Sequence, residues 1–185
     1  MKTAKKPIVL AILDGFGHNP KRVGNAIAQA KTPHLTAWFK SYPHTLLRAA
    51  GEAVGLPKGY IGNSEVGHLT VGSGRIIPQS LLIMHNAVKT KQLNTDPKLI
   101  SCLKKLIKNK GRLHIMGLLS DAGVHSHHEY LYALITIAVD MGISHIYIHP
   151  FLDGRDVSPK SADTYLQKLT KKIKKFPHVS IGSIH

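Results

Sequence analysis

The rhythm of apolar and polar positions changes along the chain. Residues 7–13, PIVLAIL, are an unbroken apolar run closed by Asp14-Gly15-Phe16-Gly17. A run apolar on both faces predicts a buried central strand of a covered sheet. Thr32-Pro33 reads as a helix entry, with Leu35, Trp38 and Phe39 on one face. Residues 44–56 read as extended, and residues 58–75 are dense in glycine. Beyond them the pattern is cleaner. Asp96-Pro97 is an N-cap followed by proline at the first helical position. Leu99, Ile100, Leu103, Leu106 and Ile107 follow at helical spacing, with Gly111 as the stop. Residues 112–119 read as a strand, 127–141 as a helix ended by Gly142, 144–149 as a strand, 159–175 as a helix opened by Ser158-Pro159, and 179–184 as a strand.

Strand and helix in alternation predict a parallel sheet with crossover helices, an α/β architecture. The glycine-rich stretch ends and this pattern begins within residues 76–95, which places the domain change there. In open parallel sheets, ligands bind beyond the carboxyl ends of the strands. That rule selects three polar loops: Asp14–Gly17, Ser120–His128 and Leu152–Asp156.

Composition narrows the class. With 43% apolar and 19% charged residues, the 185-residue chain is ordinary globular material, long enough for a real core. One cysteine, Cys102, excludes an internal disulfide and a cysteine-based zinc module. Every apolar run is too short to span a bilayer, and the N-terminus lacks a signal-peptide cleavage pattern, so a soluble cytoplasmic protein without a membrane partner is expected. The formal charge of +15 is concentrated in Lys104, Lys105, Lys108, Lys110 and Arg112, and in Lys168, Lys171, Lys172, Lys174 and Lys175. Both clusters alternate with apolar residues at helical spacing and lack interleaved aromatics for base stacking. They read as solvated helix faces, and a nucleic-acid partner is not expected.

The candidate chemistry lies in the loops. Asp14, at a strand end, suits a hard-metal ligand, and Asp-Gly equally suits a plain turn. In Gly62-Asn63-Ser64-Glu65-Val66-Gly67-His68, Ser64 stands at a helix start, where the helix dipole favours an oxygen that becomes phosphorylated. The same residues also read as an N-cap, by Ser64 or Asn63. Of His125, His127 and His128, three close neighbours cannot all face one ion, so one functional histidine with the others at a helix start is expected. In Asp153-Gly154-Arg155-Asp156, Arg155 offers a fork for phosphate or carboxylate, or else an exposed ion pair in a turn. Consecutive strands are often neighbours, which brings the His125 and Arg155 loops together.

Taken in order, LDGFG, NAIAQAKTPHL, GYIGNSEVGHLTVGSGR, LLSDAGVHSHHEYLYAL and FLDGRDVSPKSA resemble the cofactor-independent phosphoglycerate mutases, over nearly the whole chain. GNSEVGH with DAGVHSH and DGRD is a highly specific combination. Phe16 stands where tryptophan is common, and Thr70 where asparagine is.

The resemblance implies an alkaline-phosphatase-like parallel sheet with an inserted α/β substrate-binding domain. Residues 1–76 would be the N-terminal part of the metal-binding domain, and 77–185 the first part of the insert. It further implies two manganese ions and no 2,3-bisphosphoglycerate. Ser64 matches the serine nucleophile and a metal ligand, Asp14 a ligand of the same ion, and His125, Arg155 and Asp156 the grip on 3-phosphoglycerate or 2-phosphoglycerate. The family's remaining metal ligands and a further arginine-bearing loop lie beyond the match. The chain would then be inactive alone, whether as a fragment or as a partner of a separately encoded C-terminal half. Segment 7–13 would lack its sheet neighbours, leaving a weak lobe over residues 1–75 and a firmer unit from about residue 96. The alternative is a remnant that acts as a basic interaction module without catalysis.

Overall fold

The structure is a computed structural model that describes residues 6–185. The chain divides into two compact units, Met1–Ile77 and Pro78–His185. In the first, a short helix α1 (Ala26–Gln29) precedes α2 (Pro33–Ser41), a 3₁₀ turn at Gly51–Val54 and α3 (Ser64–Ser73). Only a few of this unit's apolar side chains are buried, among them Val54, Leu56 and Val66. The helix expected after Thr32-Pro33 is present as α2, yet Trp38 and Phe39 remain about half exposed.

Two expectations for this unit fail. Segment 7–13 forms no strand, and Ile8 is 97% exposed and Leu10 79%. A strand needs a neighbour for its backbone hydrogen bonds, and among the described residues none is supplied. Asp14 therefore does not sit at a strand end. It occupies a turn in which Phe16 N–H donates to the Leu13 carbonyl at 3.1 Å. Residues 44–56, read as extended, depart from that at Gly51–Val54, which form the 3₁₀ turn.

The second unit starts with α4 (Ser80–Lys89) and a 3₁₀ turn at Gln92–Thr95, neither of which the sequence pattern singled out. The β/α series follows: α5 (Pro97–Lys108), β1 (Leu113–Leu119), α6 (His128–Asp140), β2 (Ile146–Leu152), α7 (Ala162–Ile173) and β3 (Val179–Ile181). The sheet order is β1-β2-β3, all parallel, with Leu113 opposite Ile146 and Ile146 opposite Val179. Asp96 caps α5 by accepting from Leu99 N–H at 2.8 Å. At its far end the left-handed residue is Lys110, not Gly111. A Cβ at Gly111 would lie 2.5 Å from Leu106 Cδ1, so the Leu106 side chain would have to shift. Gly142, at φ +85°, ends α6 as the pattern predicts. Helix α7 begins three residues later than expected, because a turn in which Ser161 N–H and Oγ both bond to the Ser158 carbonyl occupies residues 158–161.

The core of this unit joins Leu103 of α5, Leu119 of β1, Ile146 and Ile148 of β2, Ile135 and Ala138 of α6, Leu169 and Ile173 of α7, and Val179 of β3. Each large side chain fully buried there contributes about 1.5–3 kcal/mol. The lysines of both charge clusters are exposed, on α5 and α7 and just past their C-terminal ends.

Candidate functional site

Two constellations form, one in each unit. In the first, Asn63 caps α3 by accepting from Val66 N–H at 3.1 Å, which leaves Ser64 as the first helical residue. Its hydroxyl donates to Asp14 Oδ2 at 2.8 Å, across fifty residues of chain. His68, one helical turn on, places Nδ1 at 2.7 Å from the Ser64 carbonyl and 3.1 Å from Ser64 Oγ. The approach to the helix is tight: a Cβ on Gly62 would sit 1.7 Å from the Ala49 carbonyl oxygen. Only glycine lets the strand of loop before Ser64 pass that carbonyl.

In the second unit, the loops after β1 and β2 meet. His125 Nδ1 lies 2.7 Å from Asp156 Oδ2, with the His125 side chain 69% exposed and Asp156 12%. Asp153 is buried and shapes the turn, its Oδ1 accepting from Arg155 N–H and Asp156 N–H at 3.0 Å each. Burial pushes its carboxyl up, but the Ser120 hydroxyl and the backbone N–H groups of Arg155, Asp156 and Gly154 outweigh that and hold it below the usual range. The Arg155 side chain is left outside the turn, on an exposed residue. Tyr165 of α7 donates to Asp121 at 2.5 Å, and with burial this bond pushes the phenol up to about 12.

His127 and His128 stand at a helix start, as expected: His127 caps α6 by accepting from Glu129 N–H, and His128 is its first residue. Burial, then the neighbouring His128, draws His127 below its usual value. Asp14 is thus beside Ser64, and His125 beside Asp156. The sequence reading missed His68 and Asp153. The i, i+4 spacing from Ser64 was a signal for the first, and an aspartate two and three residues ahead of the amides it caps was a signal for the second. Among the described residues, no group of three or more His, Cys, Asp or Glu could hold a metal ion. Asp14 and Ser64 offer two side chains with at most three oxygens, fewer than the roughly six that a manganese ion takes, so these residues alone do not fit the ion.

The described fold is mixed α/β with a small parallel sheet, and known proteins share it. Residues 84–185 match the family described as BPG-independent PGAM N-terminus (iPGM_N). The chain is 47% identical over 181 residues, 98% of its length, to the 2,3-bisphosphoglycerate-independent phosphoglycerate mutase of Clostridium novyi (strain NT). A crystal structure of Leishmania mexicana phosphoglycerate mutase at low cobalt concentration superposes with a TM-score of 0.69 at 34% identity, over 84% of this chain. The chain belongs to the 2,3-bisphosphoglycerate-independent phosphoglycerate mutase family and matches its N-terminal portion. It spans 35% of the Clostridium relative and 29% of the Leishmania chain. Among the described residues, no helix is long and apolar enough to cross a membrane.

Proposed function

We propose that this chain carries the nucleophile and part of the substrate grip of a phosphoglycerate mutase that interconverts 3-phosphoglycerate and 2-phosphoglycerate in glycolysis and gluconeogenesis. The observation that carries the reading is the Ser64 hydroxyl at the start of α3, hydrogen-bonded to Asp14. The positive end of a ten-residue helix favours phosphate on that oxygen. In the reaction, the Ser64 Oγ–P bond forms as the ester O–P bond of 3-phosphoglycerate breaks. The serine proton is balanced by the proton gained on the released 3-hydroxyl. Glycerate turns, and the phosphoryl group returns to its 2-hydroxyl.

His125, Arg155 and Asp156 hold the substrate in this reading. The Arg155 guanidinium pairs with an anionic group of phosphoglycerate, and the His125–Asp156 pair fixes an imidazole toward its oxygens. Residues 1–76 are taken as part of an alkaline-phosphatase-like domain and 77–185 as part of an inserted one. Asp14 and Ser64 are two ligands contributed to a manganese site that needs further ligands from outside this chain. A cytoplasmic location goes with that role. The chain by itself is then inactive.

The experiment joins residues 1–185 to the remaining segment of the Clostridium novyi relative and follows 2-phosphoglycerate formation and phosphoenzyme by intact mass. The joined protein should turn over and carry phosphate, Ser64→Ala should do neither, and residues 1–185 alone should not turn over. Activity retained in Ser64→Ala, or turnover by the isolated chain on the order of ten per second, overturns the reading.

A further inference from the structure

We infer that His68 is a positioning residue for Ser64, holding the hydroxyl oxygen by a hydrogen bond from Nδ1–H; the inference rests on Ser64 being the phosphoryl acceptor. The geometry sets the direction of each bond. A carbonyl oxygen only accepts, so the 2.7 Å contact between His68 Nδ1 and the Ser64 carbonyl requires the proton on Nδ1. The same N–H lies 3.1 Å from Ser64 Oγ, whose own O–H is engaged as donor to Asp14 Oδ2 at 2.8 Å. Oγ therefore donates to the carboxylate and accepts from the imidazole. Those two bonds fix its side-chain torsion and leave one lone pair uncommitted.

The helix makes this possible. Positions i and i+4 stand one above the other, and side chains lean toward the N-terminus, so His68 reaches back over the first turn. The Ser64 carbonyl anchors the imidazole on the residue it serves, so ring and nucleophile move together. A hydroxyl misplaced by about 1 Å loses on the order of a hundredfold in rate. The N–H also remains a donor to Oγ when the hydroxyl proton has left, where a developing negative charge strengthens the bond.

The test uses the joined protein described above, with 3-phosphoglycerate as substrate. His68→Ala should lower kcat about 10- to 100-fold with KM within about twofold. His68→Asn, whose Nδ2–H overlies the imidazole Nδ1–H, should recover most of kcat, and His68→Gln, whose amide reaches too far, should not. Circular dichroism of each variant should match the parent. In residues 1–185 themselves, long-range ¹H–¹⁵N spectra should place the His68 proton on Nδ1. An inactive Ser64→Ala beside an undiminished His68→Ala overturns the His68 role alone, as does a proton found on Nε2 or an Asn variant no better than Ala. An active Ser64→Ala removes the nucleophile itself and, with it, the role of His68.

Discussion

His125 Nδ1 stands 2.7 Å from Asp156 Oδ2, although thirty-one residues separate them in the chain. An ionised carboxylate only accepts, so Nδ1 carries a proton and donates it to Asp156, which holds the ring in one orientation. Asp156→Ala should release the ring to its usual mixture of tautomers, with Nε2–H predominant. Histidine ¹⁵N shifts on residues 1–185 read this directly. An unchanged His125 spectrum in the variant would show that the carboxylate does not orient the ring.

Tyr165 gives a pH signature. Its phenol, raised to about 12 chiefly by the bond to Asp121, lies above the ordinary value of 10.0 that it regains on unfolding. A group raised in the folded state stabilises below its unfolded pKa, and that contribution is lost as pH climbs through the folded value. The stability from this bond is thus complete below about pH 10 and disappears toward pH 12. Tyr165→Phe should cost about 1 kcal/mol near neutrality and flatten the alkaline fall in stability. Urea unfolding across that range, with phenolate absorbance, checks both.

Asp153 works in the opposite sense. Its carboxyl is held down in the folded state, so its contribution is present above the unfolded carboxylate pKa and lost as pH falls through the lowered value. Asp153→Ala leaves the amides of Arg155 and Asp156 without their acceptor and should destabilise the second unit by about 1–3 kcal/mol. Asp153→Asn keeps an acceptor oxygen and should cost less. Denaturant midpoints of the two variants at neutral and acid pH decide the point, and equal losses would reject the capping role.

Gly62→Ala should break the Asp14–Ser64 contact from a distance. The added Cβ meets the Ala49 carbonyl oxygen at 1.7 Å, so the backbone must move by more than a rotamer change can absorb. Overpacking of this kind costs about 1–3 kcal/mol. In the joined protein, activity should fall with it, and displaced amide shifts around residues 62–66 should mark the cause. A variant with wild-type shifts and activity would mean that the close approach is not kept in solution.

The apolar run at residues 7–13 should make the isolated chain associate. Ile8, Val9 and Leu10 are each more than three-quarters exposed, which is a sticky, unpaired strand sequence. Hydrogen exchange should be fast there and slow over β1, α6 and β2. Ile8→Lys with Leu10→Lys should lower light scattering at high concentration. Scattering unaffected by the pair would show that association, if seen, lies elsewhere.

Local rules carried the second unit. Capping by Asp96, the stop at Gly142 and the period of α5 act within one or two turns of chain, and strands alternating with helices leave few ways to build a sheet. The loops bearing His125 and Asp156 follow from that topology. Segment 7–13 shows the limit: its composition says strand, but a strand exists only where another chain segment meets its backbone, and no local signal records whether one does. The same holds for the site. The Gly62–His68 segment declared a helix start in the sequence, and the family resemblance already paired Asp14 with Ser64, as their contact bears out; the imidazole of His68 donating to Ser64 and the buried Asp153 that folds its own turn were decided only in three dimensions. Hydrogen bonds across fifty or thirty-one residues depend on where the backbone brings each group, and that placement is a property of the packed fold rather than of any stretch of sequence.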